Sequence, residues 1–292
     1  MEINSQQTTI GFIGIGVMGK SMASHLLKDG FTMNINTRTK SKAQELLAQG
    51  ALWYESPGQV AAASDVIITI VGYPKDVEEI YLANDGILAN CKEGDIVIDM
   101  TTSSPNLAAQ IYTAAREKGV SSLDAPVSGG DIGAREARLS IMVGGDLQAF
   151  NAVKPLFELM GKNIVHQGVA GSGQHCKMAN QIAIASNMMG VCESIRYAEK
   201  AGLNPETVLQ SIETGAAASW SLSNLAPRMI KGDFEPGFYV KHFIKDMNIA
   251  LESSDNLGLS ASGLALAKSL YDKLEEDGGG DFGTQALYKH YK

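Results

Sequence analysis

The chain has 292 residues, of which 45% are hydrophobic and 19% charged, so it is long enough for two domains with a substantial core. The formal net charge of −8, without any block of basic residues, argues against a general nucleic-acid-binding protein. The three cysteines have no metal-like spacing, which excludes a disulfide framework and a zinc site. The sequence has no run of about 18 apolar residues, the length that would indicate a membrane span.

The N-terminal stretch MEINSQQT lacks the basic and apolar regions of a signal peptide, so we expect a cytoplasmic protein. Thr9 to Ile13 then form a short apolar run typical of a strand, and a G-x-G-x-x-G motif follows directly before a helical pattern. In that context the first glycine permits a tight turn, the second lets a pyrophosphate approach, and the third allows close packing. We therefore predict dinucleotide binding at Gly14, Ile15, Gly16, Val17, Met18 and Gly19.

The segment after the second predicted strand, Thr32 to Asn36, bears on the choice of cofactor. An NAD site usually has an acidic residue at the end of this strand to bond the ribose 2′-hydroxyl. Here the sequence continues TRTKSK without an acid, and a guanidinium can clamp a 2′-phosphate instead. NADP is therefore favoured over NAD, with Thr37, Arg38, Thr39 and Lys42 as the predicted contacts.

Strands and helices continue to alternate up to about residue 166. Apolar runs indicate further strands at Asp65 to Val71, Asp95 to Asp99, Ser122 to Ala125, Leu139 to Val143 and Ile164 to His166. Helices between strands predict a doubly wound parallel sheet, whose ligands bind at the carboxyl ends of the strands. The loops containing Val71, Gly72 and Thr102 lie at those ends, with Thr102 expected on the nicotinamide side.

After residue 166 the predicted elements are helical, beginning with a long helix at 171–201. The part from Ile182 to Ile195 is apolar almost all round, which predicts a helix buried inside the protein and covered partly by another subunit. Lys177, Asn180 and Gln181 interrupt that pattern at spacings that place all three on one face. Buried polar groups are costly unless they have partners, so three of them on one helix face indicate a functional site. We therefore expect the catalytic residues here, near the junction of the two predicted halves.

The change of pattern predicts two domains. Residues 1–166 form an NADP-binding Rossmann domain, and residues 167–292 form an all-α domain for substrate binding and dimerisation. No internal repeat or low-complexity segment interrupts this division. The predicted class is thus an α/β Rossmann domain followed by an all-α domain.

Four stretches together resemble the β-hydroxyacid dehydrogenase family, which includes 3-hydroxyisobutyrate dehydrogenase, tartronate semialdehyde reductase and glyoxylate/succinic semialdehyde reductases. They are GFIGIGVMG (11–19), DAPVSGGDIGA (124–134), GSGQHCKMANQ (171–181) and FIKDMNIAL (243–251), and the likeness runs from about residue 9 to the C-terminus. The resemblance implies a catalytic lysine at Lys177 with Asn180 beside it, and a loop for the substrate carboxylate at Ser128, Gly129 and Gly130. It also implies that Lys245 reaches cofactor and substrate, and that Trp220 and Phe238 line the pocket, although both aromatics also fit a core.

The residue types suit this chemistry. Reducing an aldehyde requires a proton for the alkoxide, and a buried lysine can donate it or accept it in reverse. Asn180 and Gln181 would position the substrate hydroxyl, and backbone amides at Ser128 to Gly130 could hold a carboxylate. Gln181 departs from a paired asparagine that the family often has, and Ala137 stands where a glycine is frequent. Cys176 faces away from Lys177 and is interpreted as packing, and His166, His175 and His242 have no assigned role.

The favoured function is an NADPH-dependent reductase of small aldehyde or keto acids, reversible with the hydroxyacid and assembled as a homodimer or homotetramer. The alternative is an NAD-dependent 3-hydroxyisobutyrate-type dehydrogenase working oxidatively, which Arg38 disfavours. Imine reductases generally lack the lysine, and 6-phosphogluconate dehydrogenases are longer and carry a histidine in the lysine motif. A non-catalytic dinucleotide-dependent scaffold should have lost the lysine, and Lys177 is present.

Overall fold

A computed structural model describes residues 3–291 of the chain. The described residues form two compact units that divide between Lys177 and Met178. The first unit is built on a sheet with helices, and the second is helical. None of the helices within residues 3–291 is both long enough and apolar enough to cross a membrane.

Nine strands form one sheet in the described part of the first unit. In chain order they are β1 (Thr9–Ile13), β2 (Thr32–Asn36), β3 (Leu52–Trp53), β4 (Val66–Thr69), β5 (Ile96–Asp99), β6 (Ser121–Asp124), β7 (Val127–Ser128), β8 (Leu139–Gly145) and β9 (Gly161–Gly168). Strands β3-β2-β1-β4-β5-β6 lie side by side and parallel, and the strand order reverses between β1 and β4. At the far edge β8 pairs antiparallel with β6 and β7, and parallel with β9. Ligands of such sheets bind at the reversal, outside the carboxyl ends of the strands.

The central strands are buried on both faces, as the continuous apolar runs predict. Along β1, Phe12 packs into one hydrophobic cluster and Ile13 into another; along β4, Ile68 and Ile67 divide in the same way. Successive side chains of a strand point to opposite faces, so the two clusters are the two covered faces of the sheet. The predicted doubly wound sheet is confirmed, with antiparallel pairing added at one edge.

Within residues 3–291, fourteen α-helices cover the sheet or build the second unit. In chain order they are α1 (Val17–Lys28), α2 (Gln44–Ala48), α3 (Pro57–Ala62), α4 (Pro74–Leu82), α5 (Ile87–Asn90), α6 (Pro105–Arg116), α7 (Gly130–Arg135), α8 (Leu147–Glu158), α9 (Ser172–Lys200), α10 (Pro205–Ile212), α11 (Trp220–Asn224), α12 (Ala226–Ile230), α13 (Val240–Asn256) and α14 (Ser262–Leu274). Two short 3₁₀ segments, Lys40–Ala43 and Thr284–His290, and a π-helical turn, Glu275–Gly279, complete the described chain. The predicted long helix is confirmed as α9.

The burial of α9 differs from the prediction made for 182–195. One side of the helix packs into the core of the second unit, where Cys192 and Ile195 are fully buried. The opposite side is exposed along a stripe of mostly small residues, spaced three and four apart. These are Ala179, Ala183, Ser186, Gly190, Glu193 and Tyr197. The sequence pattern did not show this because alanine and glycine count as apolar on either side of a helix.

Candidate active site

The glycine motif after β1 has the geometry that a bound pyrophosphate requires. Gly14 has a φ of +102°, and a Cβ built there would lie 2.1 Å from the carbonyl oxygen of Ile70. A Cβ on Gly19 would lie 2.0 Å from the oxygen of Gly14, so neither position has room for a side chain. Gly16 instead opens on empty space and caps the N-terminus of α1. The unpaired amides of that first turn can bind phosphate, so the motif fits a dinucleotide.

The segment after β2 presents polar side chains to solvent. Arg38, Thr39 and Lys42 are exposed, and the Arg38 side chain is 81% accessible. Its guanidinium lies 3.5 Å from the carboxylate of Asp76 on α4, which also accepts the amide of Tyr73 at 3.0 Å. The local sequence after β2 does not predict this acid, because Asp76 comes from another element. A long, exposed ion pair contributes little, so Arg38 can exchange it for a phosphate at small cost.

The loops after β4 and β5 are tied to each other through Thr101. The Thr101 hydroxyl accepts the amide of Val71 at 2.9 Å, and its own amide donates to Asp99 at 3.0 Å. Asp99 also accepts the hydroxyl of Thr69 at 2.9 Å, and all of these side chains are buried. Thr102, which the sequence analysis selected, is only half-buried. Thr101 therefore links the two loops, and part of Thr102 remains accessible to solvent.

The amine of Lys177 lies beside the predicted carboxylate loop. Lys177 is 7% exposed, and its Nζ donates a hydrogen bond to the carbonyl of Val127 at 2.9 Å. Val127 immediately precedes Ser128, and the loop continues through Gly129 and Gly130 with φ values of +130° and +64°. Such values favour glycine and leave the backbone amides uncovered by side chains. The predicted proton donor and the predicted carboxylate loop are thus neighbours within the first unit.

Asp124, at the end of β6, anchors the start of α9. One oxygen of its carboxylate accepts the amide of Gly171 at 2.7 Å, and the other accepts the amide of Gln174 at 2.8 Å. Burial raises the pKa of Asp124 to about 6, although the two amides lower it, and the charge of Asp99 raises it further. A carboxylate at a helix N-terminus satisfies amides that have no partner within the helix. The stretch DAPVSGG contains this residue, but its local sequence does not predict this role.

We expect the Asp124→Asn variant to show a flatter dependence of stability on pH than the wild type. The pKa of Asp124 is about 6 in the folded protein, and an unfolded aspartate has a pKa of about 3.9. Ionisation therefore costs folding energy, and the wild type loses about 2–3 kcal/mol as the pH rises from 4 to 7. Urea unfolding of both proteins across this range measures the difference. A difference that stays constant from pH 4 to 7 would contradict the assignment.

Within the second unit, two hydrogen bonds and one ion pair join four polar residues, of which Gln181 and Asp246 are buried. Asn180 donates to the side-chain oxygen of Gln181 at 2.8 Å, and Gln181 donates to Asp246 at 2.5 Å. The other oxygen of Asp246 lies 2.9 Å from Nζ of Lys245. Gln181 is fully buried with protein partners at both ends of its amide, so it orients Asn180 and Asp246. Asp246 was not selected from the sequence, although it follows Lys245 in FIKDMNIAL.

The remaining selected residues fall in different environments. Trp220 begins α11 and is 59% exposed, so the alternative of a core aromatic does not apply to it. Phe238 is half-buried, with its ring centroid 5.5 Å from that of Phe243. Burial raises the pKa of the Cys176 thiol, an effect that the charge of Lys177 opposes. A raised pKa disfavours a nucleophilic thiolate and agrees with the interpretation of Cys176 as packing.

Two family descriptions match the chain in succession. Residues 9–168 match the NAD-binding domain of 6-phosphogluconate dehydrogenase. Residues 171–291 match the family described as NAD-binding of NADP-dependent 3-hydroxyisobutyrate dehydrogenase. Together the two matches cover nearly all of the described residues.

Individual proteins are similar over the same extent. An uncharacterized oxidoreductase of Bacillus subtilis (strain 168) is 62% identical, over 96% of this chain and 98% of its own. The 2-hydroxy-3-oxopropionate reductase of Escherichia coli (strain K12) is 42% identical, over 95% of both chains. The solved structure of Mycobacterium tuberculosis 3-hydroxyisobutyrate dehydrogenase with L-serine has a TM-score of 0.88 at 30% identity, covering 97% of this chain and 98% of that one. Each similarity extends over both units.

Proposed function

Because this chain belongs to the β-hydroxyacid dehydrogenase family, we propose that it is an NADPH-dependent reductase of small aldehyde or keto acids. It is an NAD(P)-dependent oxidoreductase, and the family acts on hydroxyacids. The proposed substrates are of the glyoxylate, succinic semialdehyde or tartronate semialdehyde type, and the reaction is reversible with the corresponding hydroxyacid. The relative named 2-hydroxy-3-oxopropionate reductase supports a short aldehyde with a carboxylate.

The buried amine of Lys177 is the observation that carries this proposal. Bound NADPH supplies the hydride. Lys177 donates a proton to the oxygen of the reduced carbonyl, and accepts that proton in the oxidative direction. The bond from Nζ to the carbonyl of Val127 orients the amine. An ammonium group has three donors, so this bond does not prevent proton transfer through another N–H. Asn180, held by Gln181, is the proposed partner of the substrate hydroxyl.

We assign the substrate carboxylate to the backbone at Ser128, Gly129 and Gly130. The two glycines adopt positive φ values and carry no side chain, so an anion can approach their amides closely. Lys245 is the proposed additional cation for cofactor and substrate, and Asp246 fixes its position at 2.9 Å. Trp220 and Phe238 are proposed to line the substrate pocket, and the exposure of Trp220 suits this role.

NADPH is the proposed cofactor because Thr37, Arg38, Thr39 and Lys42 present a cationic, carboxylate-free segment after β2. The family description that matches residues 171–291 names an NADP-dependent enzyme, which supports the choice. The alternative is an NAD-dependent 3-hydroxyisobutyrate-type dehydrogenase. The carboxylate of Asp76 near Arg38 is the observation in its favour, since an acid at this place would oppose a 2′-phosphate.

The two domains are proposed to have separate functions. Residues 1–166 would bind NADP, and residues 167–292 would supply substrate contacts and join subunits in a homodimer or homotetramer. Apolar side chains exposed on the second unit support an interface between subunits. They include Tyr197, Leu203, Leu257, Leu259 and Leu266.

A panel of substrates tests the proposed function. The panel contains glyoxylate, succinic semialdehyde and tartronate semialdehyde with NADPH or NADH, and 3-hydroxyisobutyrate, L-serine and the corresponding hydroxyacids with NADP or NAD. We expect the largest kcat/KM for an aldehyde acid with NADPH. Aldehydes of equal length without a carboxylate are the control, and should lose most of kcat/KM because they have no group for the Ser128–Gly130 loop. A larger kcat/KM for 3-hydroxyisobutyrate with NAD would favour the alternative.

A further inference from the structure

The side chain of Gln174 connects two parts of the first unit that the proposed reaction uses. Gln174 lies in the first turn of α9 and is fully buried. Its Nε2 donates to the carbonyl of Thr101 at 2.7 Å, and its Oε1 accepts the amide of Ser103 at 2.9 Å. The two bonded backbone groups flank Thr102. One amide side chain therefore holds both sides of Thr102.

The same residue is one helical turn from the proposed proton donor. Gln174 precedes Lys177 by three positions, so the two lie on neighbouring turns of one helix face. The backbone amide of Gln174 donates to Asp124, whose other oxygen holds Gly171. Thus the loop after β5, the start of α9 and the end of β6 meet at Gln174. A shift of Gln174 would change the distance between Thr102 and Lys177.

The start of α9 packs closely against the sheet. A Cβ built on Gly173 would lie 2.4 Å from the carbonyl oxygen of Met142 and 2.6 Å from that of Asp124. A Cβ on Gly144 would lie 2.5 Å from the carboxylate of Asp124 and 2.7 Å from the amide of Gly173. The backbone at the start of α9 therefore lies directly against β6 and β8, with no space for a side chain at either glycine. Because Gln174 belongs to this part of α9, its two hydrogen bonds hold the loop that contains Thr102 against the helix.

We infer that Gln174 is a positioning residue for hydride transfer, because it sets the spacing between the nicotinamide-side loop at Thr102 and the proton donor Lys177. The inference rests on the proposed function, which gives Lys177 and Thr102 their roles. Reacting groups must be held to within a fraction of an ångström, and a misplacement of about 1 Å can cost about 10²-fold in rate. A buried amide that uses its donor and its acceptor on one loop fixes both the distance and the orientation of that loop.

Single-turnover kinetics of Gln174→Ala test the inference. The rate constant for oxidation of bound NADPH, measured with the best substrate of the panel, should fall about 10- to 100-fold. The dissociation constant for NADPH should change less than about threefold, because the glycine motif is untouched. A variant that is merely unstable would lose amplitude and keep the rate constant. Separating amplitude from rate constant therefore distinguishes positioning from folding.

Asn34→Ala is the matched control. Asn34 is a buried amide in the same unit, and it donates to the carbonyl of Ala63 at 2.7 Å and to the hydroxyl of Ser64 at 3.1 Å. Its loss should lower stability with little effect on the rate constant. If Lys177→Ala is inactive, equal single-turnover rate constants for Gln174→Ala and Asn34→Ala would overturn the inference. Full activity of Lys177→Ala would instead overturn the proposed function, and the inference with it.

Gln174→Glu gives a second readout that a purely structural role would not change. A protonated carboxyl group can donate to the Thr101 carbonyl and accept from the Ser103 amide, whereas an ionised one cannot donate. The ratio of the variant rate constant to that of the wild type should therefore rise at least threefold as the pH falls from 8 to 6. The nearby ionisable groups Asp99, Asp124 and Lys177 are present in both proteins, so titrations that position 174 does not alter cancel in the ratio. A ratio at pH 6 as low as that of Gln174→Ala would overturn the inference, because the protonated carboxyl group can make both hydrogen bonds.

Discussion

Replacing Lys177 with alanine should lower kcat by at least ~10²-fold while the dissociation constant for NADPH stays nearly unchanged. The Lys177 side chain is 7% exposed and bonded to the carbonyl of Val127, so bulk water cannot readily take over proton transfer. Cofactor binding should persist, because the glycine motif and the segment after β2 are intact. Steady-state kinetics with the best aldehyde acid and fluorescence titration with NADPH measure the two quantities.

Two further measurements separate proton transfer from a simple effect of charge. Lys177→Arg keeps the positive charge, but a guanidinium does not release its proton near neutral pH. This variant should therefore be about as slow as Lys177→Ala. Methylamine added to Lys177→Ala should restore part of the turnover by filling the space of the lost amine. A kcat of Lys177→Ala close to that of the wild type would remove the proton-transfer role.

Replacing Arg38 with alanine should raise the dissociation constant for NADPH about 10- to 100-fold and that for NADH less than about threefold. A charge-assisted contact of a guanidinium with phosphate is worth about 1.5–3 kcal/mol, and every 1.4 kcal/mol corresponds to about tenfold in affinity. NADH lacks the 2′-phosphate, so it loses no such contact. Fluorescence titration of both cofactors at one ionic strength gives the two ratios.

Lys40→Ala is the control for charge alone. Lys40 stands two residues from Arg38, lies 3.5 Å from Glu55 and is 4.8 Å from the centre of the Trp53 ring. Its replacement removes the same charge from the same segment, yet it should change both dissociation constants by less than about threefold. Equal losses for NADPH and NADH in Arg38→Ala would show that the 2′-phosphate assignment is wrong.

The elements that the sequence predicted best are those whose structure follows from local pattern. The bounds of β1 and β2 agree with the prediction, and α9 begins and ends within one residue of it. Strands β3 and β7 were missed because each has only two residues, Leu52–Trp53 and Val127–Ser128, which is too short to show alternation. Their pairing depends on neighbouring strands, and such partners cannot be read from local pattern.

The residues of the candidate site also differ in whether the local sequence pattern predicts them. The glycine motif and the polar face of the long helix were accessible to sequence reasoning because spacing alone places their residues together. Gln174, Asp124 and Asp246 were not selected, because their partners lie from 47 to 73 positions away in the chain. One departure from the family pattern did indicate an unusual backbone conformation. Ala137 stands where the resembling family often has glycine, and its φ is +52°.

Substitutions in the segment 37–42 should affect the stability of the protein less than a substitution of Gln174. Its longest side chains extend into solvent, and substitutions at such positions usually shift stability by less than about 0.5 kcal/mol. The hydrogen bonds of Gln174 are buried within the first unit. Replacing Gln174 would leave the two backbone groups that its side chain bonds without partners. If the proposed roles hold, substitutions at the surface can change the cofactor while the proposed geometry of proton transfer is retained. For enzyme engineering, the choice of reductant and the rate of the chemical step become separate design problems.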